Sequence, residues 1–229
     1  MPTHENDYPQ LLSLAVHEFR TPAGVVGGYL RMLQRDTEHP LSSRHSKMVD
    51  EAEKSCARLV ALVGELSEIS NLDAGTVRLA QQSVDVFALA QELAGSVHEP
   101  GDNDVQLEFR GESSGASITG DLTRLRSAFS AILRAIVREK APPCTVVAEC
   151  RFDQTNGRSA MIIVAEKDSV QAAYDSKPGL FDEKRGGLGL ALPIARRVIE
   201  AHGGRLWSPA SVSDRDSKGT AVIAFPLAE

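Results

Sequence analysis

The N-terminal third of the chain places its apolar side chains at the spacing of amphipathic helices. Between residues 9 and 36, and again between residues 43 and 72, apolar positions recur every three or four residues. A turn containing His39 and Pro40 separates the two stretches, so the pattern predicts an antiparallel helical hairpin, bent at Pro22. The apolar positions are Leu11, Leu12, Ala15, Phe19, Val26, Leu30 and Leu33, then Met48, Val49, Ala52, Cys56, Leu59, Leu62, Val63, Leu66 and Ile69.

This apolar face is too wide for one hairpin to bury. Two copies of the hairpin packed together form a four-helix bundle that covers the face. We therefore expect a homodimer, with residues 1–74 as the dimerising domain.

After residue 74 the pattern changes to short alternating segments mixed with amphipathic ones. These predict an α+β sandwich over residues 75–229, with a mixed or antiparallel sheet covered by helices. The predicted helices are 84–94, 122–140 and 189–201, the predicted strands are 104–110, 144–152, 160–165, 205–208 and 220–227, and residues 170–185 are expected to form a mobile loop.

Composition and charge exclude several classes of protein. Hydrophobic residues make up 42% and charged residues 24% of the 229 residues, as in a soluble globular protein. The net charge is -6 and there is no long Lys/Arg run, which argues against a nucleic-acid partner. No apolar run is long enough for a transmembrane segment, and the polar N-terminus does not resemble a secretory signal. Three cysteines without a CxxC pair favour the cytoplasm and no zinc cluster.

The segment from Leu14 to Pro22 carries the strongest chemical signal. His17 and Thr21 are four residues apart and share a helix face, and Glu18 adjoins the histidine. The zinc-protease pattern HExxH is excluded because its second histidine is replaced by Thr21.

The string His-Glu-Phe-Arg-Thr-Pro, residues 17–22, resembles the phosphoacceptor box of two-component sensor histidine kinases. The resemblance makes the hairpin a dimerisation and histidine-phosphotransfer domain. It assigns His17 as the nucleophile, Glu18 as the group that holds the proton on the other ring nitrogen, and Thr21 as the group that orients water for dephosphorylation of a partner. The implied partner is a response-regulator receiver domain, which we expect to dock on Thr21, Gly24, Val25 and Gly28 and on the facing part of the second helix.

The resemblance extends through the C-terminal part. The segments 121–126, 186–192, 201–208 and 218–220 are similar to those of a Bergerat ATP-binding domain, which implies ATP and Mg²⁺ as cofactors. In this pattern Gly187 and Gly189 precede a helix whose N-terminus receives phosphates. The alternative is that these two glycines only allow tight packing. Arg138 stands near the phosphates, and Phe181 stands in a remnant of the F-box.

Two positions depart from the family pattern. Ala135 stands where the family carries the asparagine that holds Mg²⁺, and Glu166 stands where an aspartate binds the adenine amino group. Loss of a charge-assisted hydrogen bond costs roughly 1.5–3 kcal/mol, so we expect feeble ATP binding. Restoring Ala135→Asn with Glu166→Asp is expected to raise nucleotide affinity if the pocket is otherwise intact.

Three functions are compatible with this sequence. One is a protein-histidine kinase core that phosphorylates His17 from ATP and passes the phosphoryl group to a response-regulator aspartate. Another is a kinase-derived histidine phosphotransferase of a phosphorelay, in which the C-terminal domain is a scaffold. The last is a non-enzymatic dimeric regulator that does not bind ATP.

Overall fold

The computed structural model describes residues 8–97, 105–154, 158–187, 189–210 and 219–227. Its contacts divide the chain into two compact units, Met1–Val77 and Arg78–Glu229. Among the described residues, no helix is both long and apolar enough to cross a membrane.

The N-terminal unit is a hairpin of helix α1 (Tyr8–Arg35) and helix α2 (Ser43–Asp73). Both helices lie within about one residue of the predicted bounds, because the apolar period is sustained over many turns. The Ser42 side chain caps α2 by accepting a hydrogen bond from the backbone N–H of His45 at 3.3 Å. Pro22 lies inside α1, where its missing N–H removes the hydrogen bond to the carbonyl of Glu18.

The contact between α1 and α2 is narrow. Val16 and Gly27 of α1 are buried against a face of α2 that includes Cys56 and Val63. The thiol of Cys56 donates to the carbonyl of Ala23 at 3.1 Å, so the helices approach closely at this level. Many other apolar side chains of the hairpin stay exposed, namely Tyr8, Leu11, Leu14, Phe19, Val25, Val26, Tyr29, Met32, Leu33, Met48, Leu59 and Val60.

The C-terminal unit is a mixed α+β sandwich, and the predicted fold class is confirmed. Its elements are β1 (Gln82–Asp85), α3 (Val86–Ala94), β2 (Val105–Gly111), β3 (Ser117–Gly120), α4 (Leu122–Arg138), β4 (Cys144–Asp153), β5 (Ser159–Glu166), α5 (Val170–Asp175), β6 (Pro178–Gly179), α6 (Ala191–Ala201), β7 (Arg205–Pro209) and β8 (Ala221–Pro226). Within the described residues, one sheet has the order β2-β4-β5-β8-β7-β6, and β1 pairs with β3 separately. The pair β2-β4 is parallel and the other pairs are antiparallel.

Both faces of the central sheet are covered. Alternate residues of β5 point to opposite faces, and α4 packs on one of them, where Phe129 lies 6.3 Å from Phe225, centroid to centroid. On the other face Met161 and Ile163 pack with Val170 of α5. The sheet is therefore the centre of two hydrophobic layers.

Two sequence predictions are wrong in this unit. The predicted helix 84–94 begins only at Val86, because Val84 and Asp85 pair with β3 and the Asp85 carboxylate caps α3. Residues 170–185 do not form a loop throughout, since they contain α5, strand β6 and the buried side chain of Arg185. Burial of Val170 and Ala173 against the sheet explains why so short a segment is helical.

His202, just after α6, fastens this helix to the start of α4. Its Nε2 accepts the backbone N–H of Asp121 at 2.9 Å, and its Nδ1–H donates to the carbonyl of Val198 at 2.6 Å. Gly120 leaves room for the ring, because a Cβ there would lie 2.5 Å from Cδ2 of His202. Asp121 itself caps α4 by accepting from the backbone N–H of Arg124.

Candidate functional site: an exposed histidine on α1 and an ion pair in the C-terminal unit

His17 lies on the outer surface of α1, with 77% of its side chain exposed. Its Nδ1 is 3.3 Å from Oε1 of Glu18, whose side chain is 72% exposed. This contact leaves Nε2 directed away from the carboxylate. The pair therefore presents one ring nitrogen to solvent and places a carboxylate beside the other.

Thr21 follows one turn after His17 on the same helix and is exposed. Pro22, next to it, is also exposed. His17, Glu18 and Thr21, all named from the sequence, thus share one exposed stretch of α1.

A groove of about 440 Å³ lies along the hairpin on the C-terminal side of this stretch. Ala23, Gly24 and Gly27 line it from α1, and Ala57 and Val60 are among the residues that line it from α2. A Cβ added at Gly24 would meet no atom within 4 Å, whereas one at Gly27 would lie 3.3 Å from Sγ of Cys56. Gly24 therefore leaves open space on the surface, and Gly27 permits the close approach of the two helices.

The C-terminal unit places an ion pair at the predicted adenine position. Nζ of Lys140 lies 2.9 Å from Oε1 of Glu166, and only 8% of the lysine side chain is exposed. The lysine chain runs over Gly219, where an added Cβ would be 2.5 Å from Nζ. The pKa of the Cys144 thiol is raised, first by burial and then by the Glu166 carboxylate, and the Lys140 ammonium opposes part of this rise.

At the predicted metal position, Ala135 packs directly against the backbone of Gly186. Ala135 is fully buried in α4, and a Cβ added at Gly186 would lie 2.7 Å from Cα of Ala135. Gly186 has a positive φ of 67°, which its lack of a side chain permits. Arg138 donates to the carbonyl of Gly186 at 3.4 Å. This arginine therefore binds the turn Arg185–Gly187, which is called the glycine turn below.

Arg185 is a functional candidate that sequence reasoning missed. It is 6% exposed, and its guanidinium donates to the carbonyls of Asp182 and Thr220 and to Oγ of Ser208 at 3.0–3.1 Å. The guanidinium also lies 4.6 Å from the ring centroid of Phe181, which is buried. Burial lowers the pKa of Arg185. An arginine in a polar loop gives no sequence signal of burial, and neither does Lys140 directly after a helix.

Gly187 and Gly189 are exposed and have positive φ angles of 61° and 65°. They precede α6, which begins at Ala191. Leu188 between them, and Lys218 before Gly219, lie outside the described residues.

The predicted base and metal positions are occupied by contacts within the chain. The carboxylate of Glu166 is bound by Lys140, and Ala135 offers no oxygen and lies against Gly186. The described residues contain no group of three or more His, Cys, Asp or Glu side chains placed to hold a metal ion.

Comparison with known families and proteins agrees with the signal in α1. Residues 10–75 match the His Kinase A (phospho-acceptor) domain. The chain is 28% identical over 231 residues to the probable sensor histidine kinase TcrY of Mycobacterium tuberculosis, covering 95% of this chain and 46% of that protein. It is 24% identical over 212 residues to the sensor protein GacS of Pseudomonas syringae pv. syringae, covering 86% of this chain and 23% of that protein. The chain therefore spans less than half the length of either relative.

Solved structures agree on the fold. Full-length ShkA in complex with AMPPNP superposes with a TM-score of 0.64 at 21% identity, over 96% of this chain and 46% of that chain. The histidine kinase AdeS of Acinetobacter baumannii superposes with a TM-score of 0.54 at 17% identity, over 93% of this chain and 98% of that chain. Residues 10–75 therefore match a His Kinase A (phospho-acceptor) domain, and this match, the similar curated relatives and the mixed sandwich that follows the hairpin together support a two-component histidine kinase core.

Proposed function

We propose that this chain transfers phosphoryl groups in two-component signalling through His17, exchanging them with an aspartate of a response-regulator receiver domain. The observation that carries the proposal is the exposed His17 with the Glu18 carboxylate at its Nδ1, inside the segment that matches a phospho-acceptor domain. A buried or fully paired histidine would not be available to a second protein.

The geometry favours attack by Nε2. Because Nδ1 lies beside Glu18, the lone pair of a neutral ring is on Nε2, which points away from the carboxylate. A P–N bond forms as the P–O bond to the donor breaks, and its electron pair leaves with the donor oxygen. Glu18 then stabilises the positive ring through its Nδ1–H. Transfer to a receiver aspartate is the reverse step, with a carboxylate oxygen as the nucleophile.

Thr21 is suited to a different step. Its hydroxyl is exposed one turn from His17, where it can orient a water molecule toward a phosphorylated receiver. Thr21→Ala is therefore expected to spare phosphorylation of His17 and to weaken dephosphorylation of the receiver.

The groove below His17 is the proposed docking surface for the receiver. Gly24 leaves open space there, so a helix of the partner can approach the backbone of α1. The groove is apolar at Ala57 and Val60 and charged at Arg31, Glu53 and Lys54, a mixture suited to a protein partner.

The exposed apolar side chains of the hairpin support a homodimer. Twelve large apolar residues of α1 and α2 are exposed in a single copy, and a soluble monomer rarely exposes so many on one small unit. A second hairpin supplies the missing partner surface for a four-helix bundle.

The named relatives are sensor kinases, and the ShkA structure contains AMPPNP. An ATP-dependent step in this chain would use Glu166, Phe181, Gly187, Gly189 and Arg138. The poor fit of the base and metal positions argues against such a step, and we derive none through ATP.

The function is tested with a receiver domain carrying labelled aspartyl phosphate. We expect acid-labile, base-stable label on the full chain, and none on the His17→Ala variant. His39→Ala, which replaces another exposed histidine of the hairpin, is the matched control and should label normally. Label that persists in His17→Ala would contradict the assignment of the nucleophile.

A further inference from the structure

The nucleotide position of the C-terminal unit is bounded by the end of α4, the end of β5, the start of β8 and the turn before α6. Each of these elements contributes a residue that contacts another of them. Three of these contacts involve the base position, the metal position and the turn at Arg185–Gly187.

The first contact occupies one oxygen of the carboxylate that would bind a base. An acidic side chain recognises the amino group of adenine by accepting its hydrogen bond, and Oε1 of Glu166 already accepts from Lys140 at 2.9 Å. The ammonium group is held in place because the lysine chain lies on Gly219 and is more than nine-tenths buried. A base bound through Oε1 would have to compete with Lys140, whose side chain is 8% exposed, for a carboxylate whose own side chain is 50% exposed.

The second contact closes the metal position. Any side chain longer than that of Ala135 would point from a fully buried position toward Gly186, whose backbone is already in contact. The exchange Ala135→Asn with Glu166→Asp therefore does not restore a site by itself, because the turn at Gly186 occupies the space. The expected gain in nucleotide affinity required the rest of the pocket to be intact, and the turn at Gly186 does not leave it so.

The third contact joins the glycine turn to the sheet through hydrogen bonds of the Arg185 guanidinium. Arg185 donates to the Thr220 carbonyl and to Ser208, and Oγ of Ser208 also donates to the Thr220 carbonyl at 2.9 Å. Three donated hydrogen bonds and the Phe181 ring compensate the burial of the guanidinium, which is otherwise costly. To open the turn, these hydrogen bonds would have to break together.

We infer that the C-terminal unit is closed by its own side chains, with Lys140 in the base position and Arg185 as the latch of the glycine turn, and does not bind ATP·Mg²⁺. The closure does not depend on the proposed function. Only the identity of the phosphoryl donor that replaces ATP rests on it. His17 then receives its phosphoryl group from an acyl phosphate, the aspartyl phosphate of a receiver.

Calorimetric titration of the full chain with ATP in excess Mg²⁺ tests the closure directly. We expect no saturable binding up to about 1 mM nucleotide, since each tenfold gain in affinity needs ~1.4 kcal/mol of contacts that the filled position does not offer. Saturable binding with a Kd below 1 mM would overturn the inference.

Lysine acylation followed by mass spectrometry tests the position of Lys140 independently. Lys167, which is 53% exposed and 3.8 Å from Glu108, is the matched reference in the same unit. We expect Lys140 to be acylated at least tenfold more slowly than Lys167, with no change when ATP·Mg²⁺ is added. Equal rates, or a rate at Lys140 that rises with nucleotide, would contradict the closure.

The outcomes separate this inference from the proposed function. Label on His17 from the receiver phosphate, with no ATP binding, supports both. ATP binding together with label on His17 overturns the closure and keeps His17 as the acceptor. A lack of label from the receiver contradicts the proposed function, while the titration still decides the closure.

Discussion

The imidazole of His202 accepts the backbone N–H of Asp121 at 2.9 Å and so joins the C-terminal end of α6 to the N-cap of α4. The two residues are far apart in sequence and half-buried. His202→Ala leaves the Asp121 N–H without its partner, and we expect the free energy of unfolding of this unit to fall by ~1–3 kcal/mol. Urea denaturation followed by the fluorescence of Trp207, the one tryptophan of the chain, measures the change. Leu180→Ser, at a side chain that is 90% exposed, is the control and should shift stability by less than ~0.5 kcal/mol.

The carboxylate of Glu18 is expected to matter for rate and not for folding. Glu18→Gln keeps the size of the side chain but removes the charge that stabilises the ring after attack, so phosphorylation of His17 from a receiver should slow by ~10²-fold. Initial rates of labelling measure the effect, and circular dichroism checks that the hairpin is intact. Thr21→Ala is the neighbouring control for this step. Equal rates in Glu18→Gln and the unmodified chain would remove Glu18 from the reaction.

The three glycines in the middle of α1 are expected to differ in a stability measurement. Gly24→Ala and Gly28→Ala add a methyl group that meets no atom within 4 Å, so each should stabilise the hairpin by up to ~1 kcal/mol through helix propensity. Gly27→Ala should gain less, because its Cβ would lie 3.3 Å from Sγ of Cys56. Thermal melting followed at 222 nm compares the three variants. An equal gain at all three positions would contradict the close packing at Gly27.

The dimer is expected to depend on the exposed apolar face of α2. Leu59 is 57% exposed in a single hairpin, so Leu59→Glu should disrupt a dimer and leave the hairpin itself folded. Leu62 is half-buried, and a charge there would disturb both. Sedimentation equilibrium at micromolar concentration measures the mass, with Lys47→Glu on the same helix as the control. A monomeric mass for the unmodified chain would refute the dimer.

The stability of the C-terminal unit is expected to fall in alkaline solution. Burial raises the pKa of the Cys150 thiol far above its ordinary value, and the nearby Asp85 and Glu149 carboxylates add to the effect. The folded chain therefore keeps this proton while the unfolded chain loses it above about pH 8.5. The contribution is fully present below that pH, and above it stability declines by up to ~1.4 kcal/mol per pH unit.

Urea denaturation between pH 7 and pH 10 tests the role of Cys150. The Cys150→Ala variant should lack this part of the pH dependence, whereas Cys56→Ala, in the other unit, should retain it. An unchanged slope in Cys150→Ala would show that other groups cause the decline.

The sequence predicts the long elements well and the short ones poorly. Helices α1 and α2 were predictable because their apolar period runs through many turns, and β4 and β5 because their alternation is bounded by turn residues. Helix α5 has only six residues, and its helical form depends on contacts of Val170 with a sheet face that sequence alone does not place. Tertiary packing decides such segments, not local preference.

The residues of the candidate site also differ in how far sequence alone predicts their proximity. His17, Glu18 and Thr21 lie within one turn of one helix, so their spacing in sequence fixes their spacing on the surface. Lys140 and Glu166 are 26 residues apart and meet only because α4 ends beside the end of β5. A pair of this kind has no local sequence pattern, and it became visible only with the fold.

Pro22 is a point of easier bending in α1, and it lies between His17 and the proposed docking groove. With no N–H to bond the Glu18 carbonyl, the turn that follows His17 has one hydrogen bond fewer than its neighbours and bends more easily. A bend there swings the imidazole while Gly24 stays with the lower segment of the helix. A change of angle there alters the distance between the ring and Gly24 in the proposed docking groove, so we expect the rate of phosphoryl exchange with a receiver to depend on that angle.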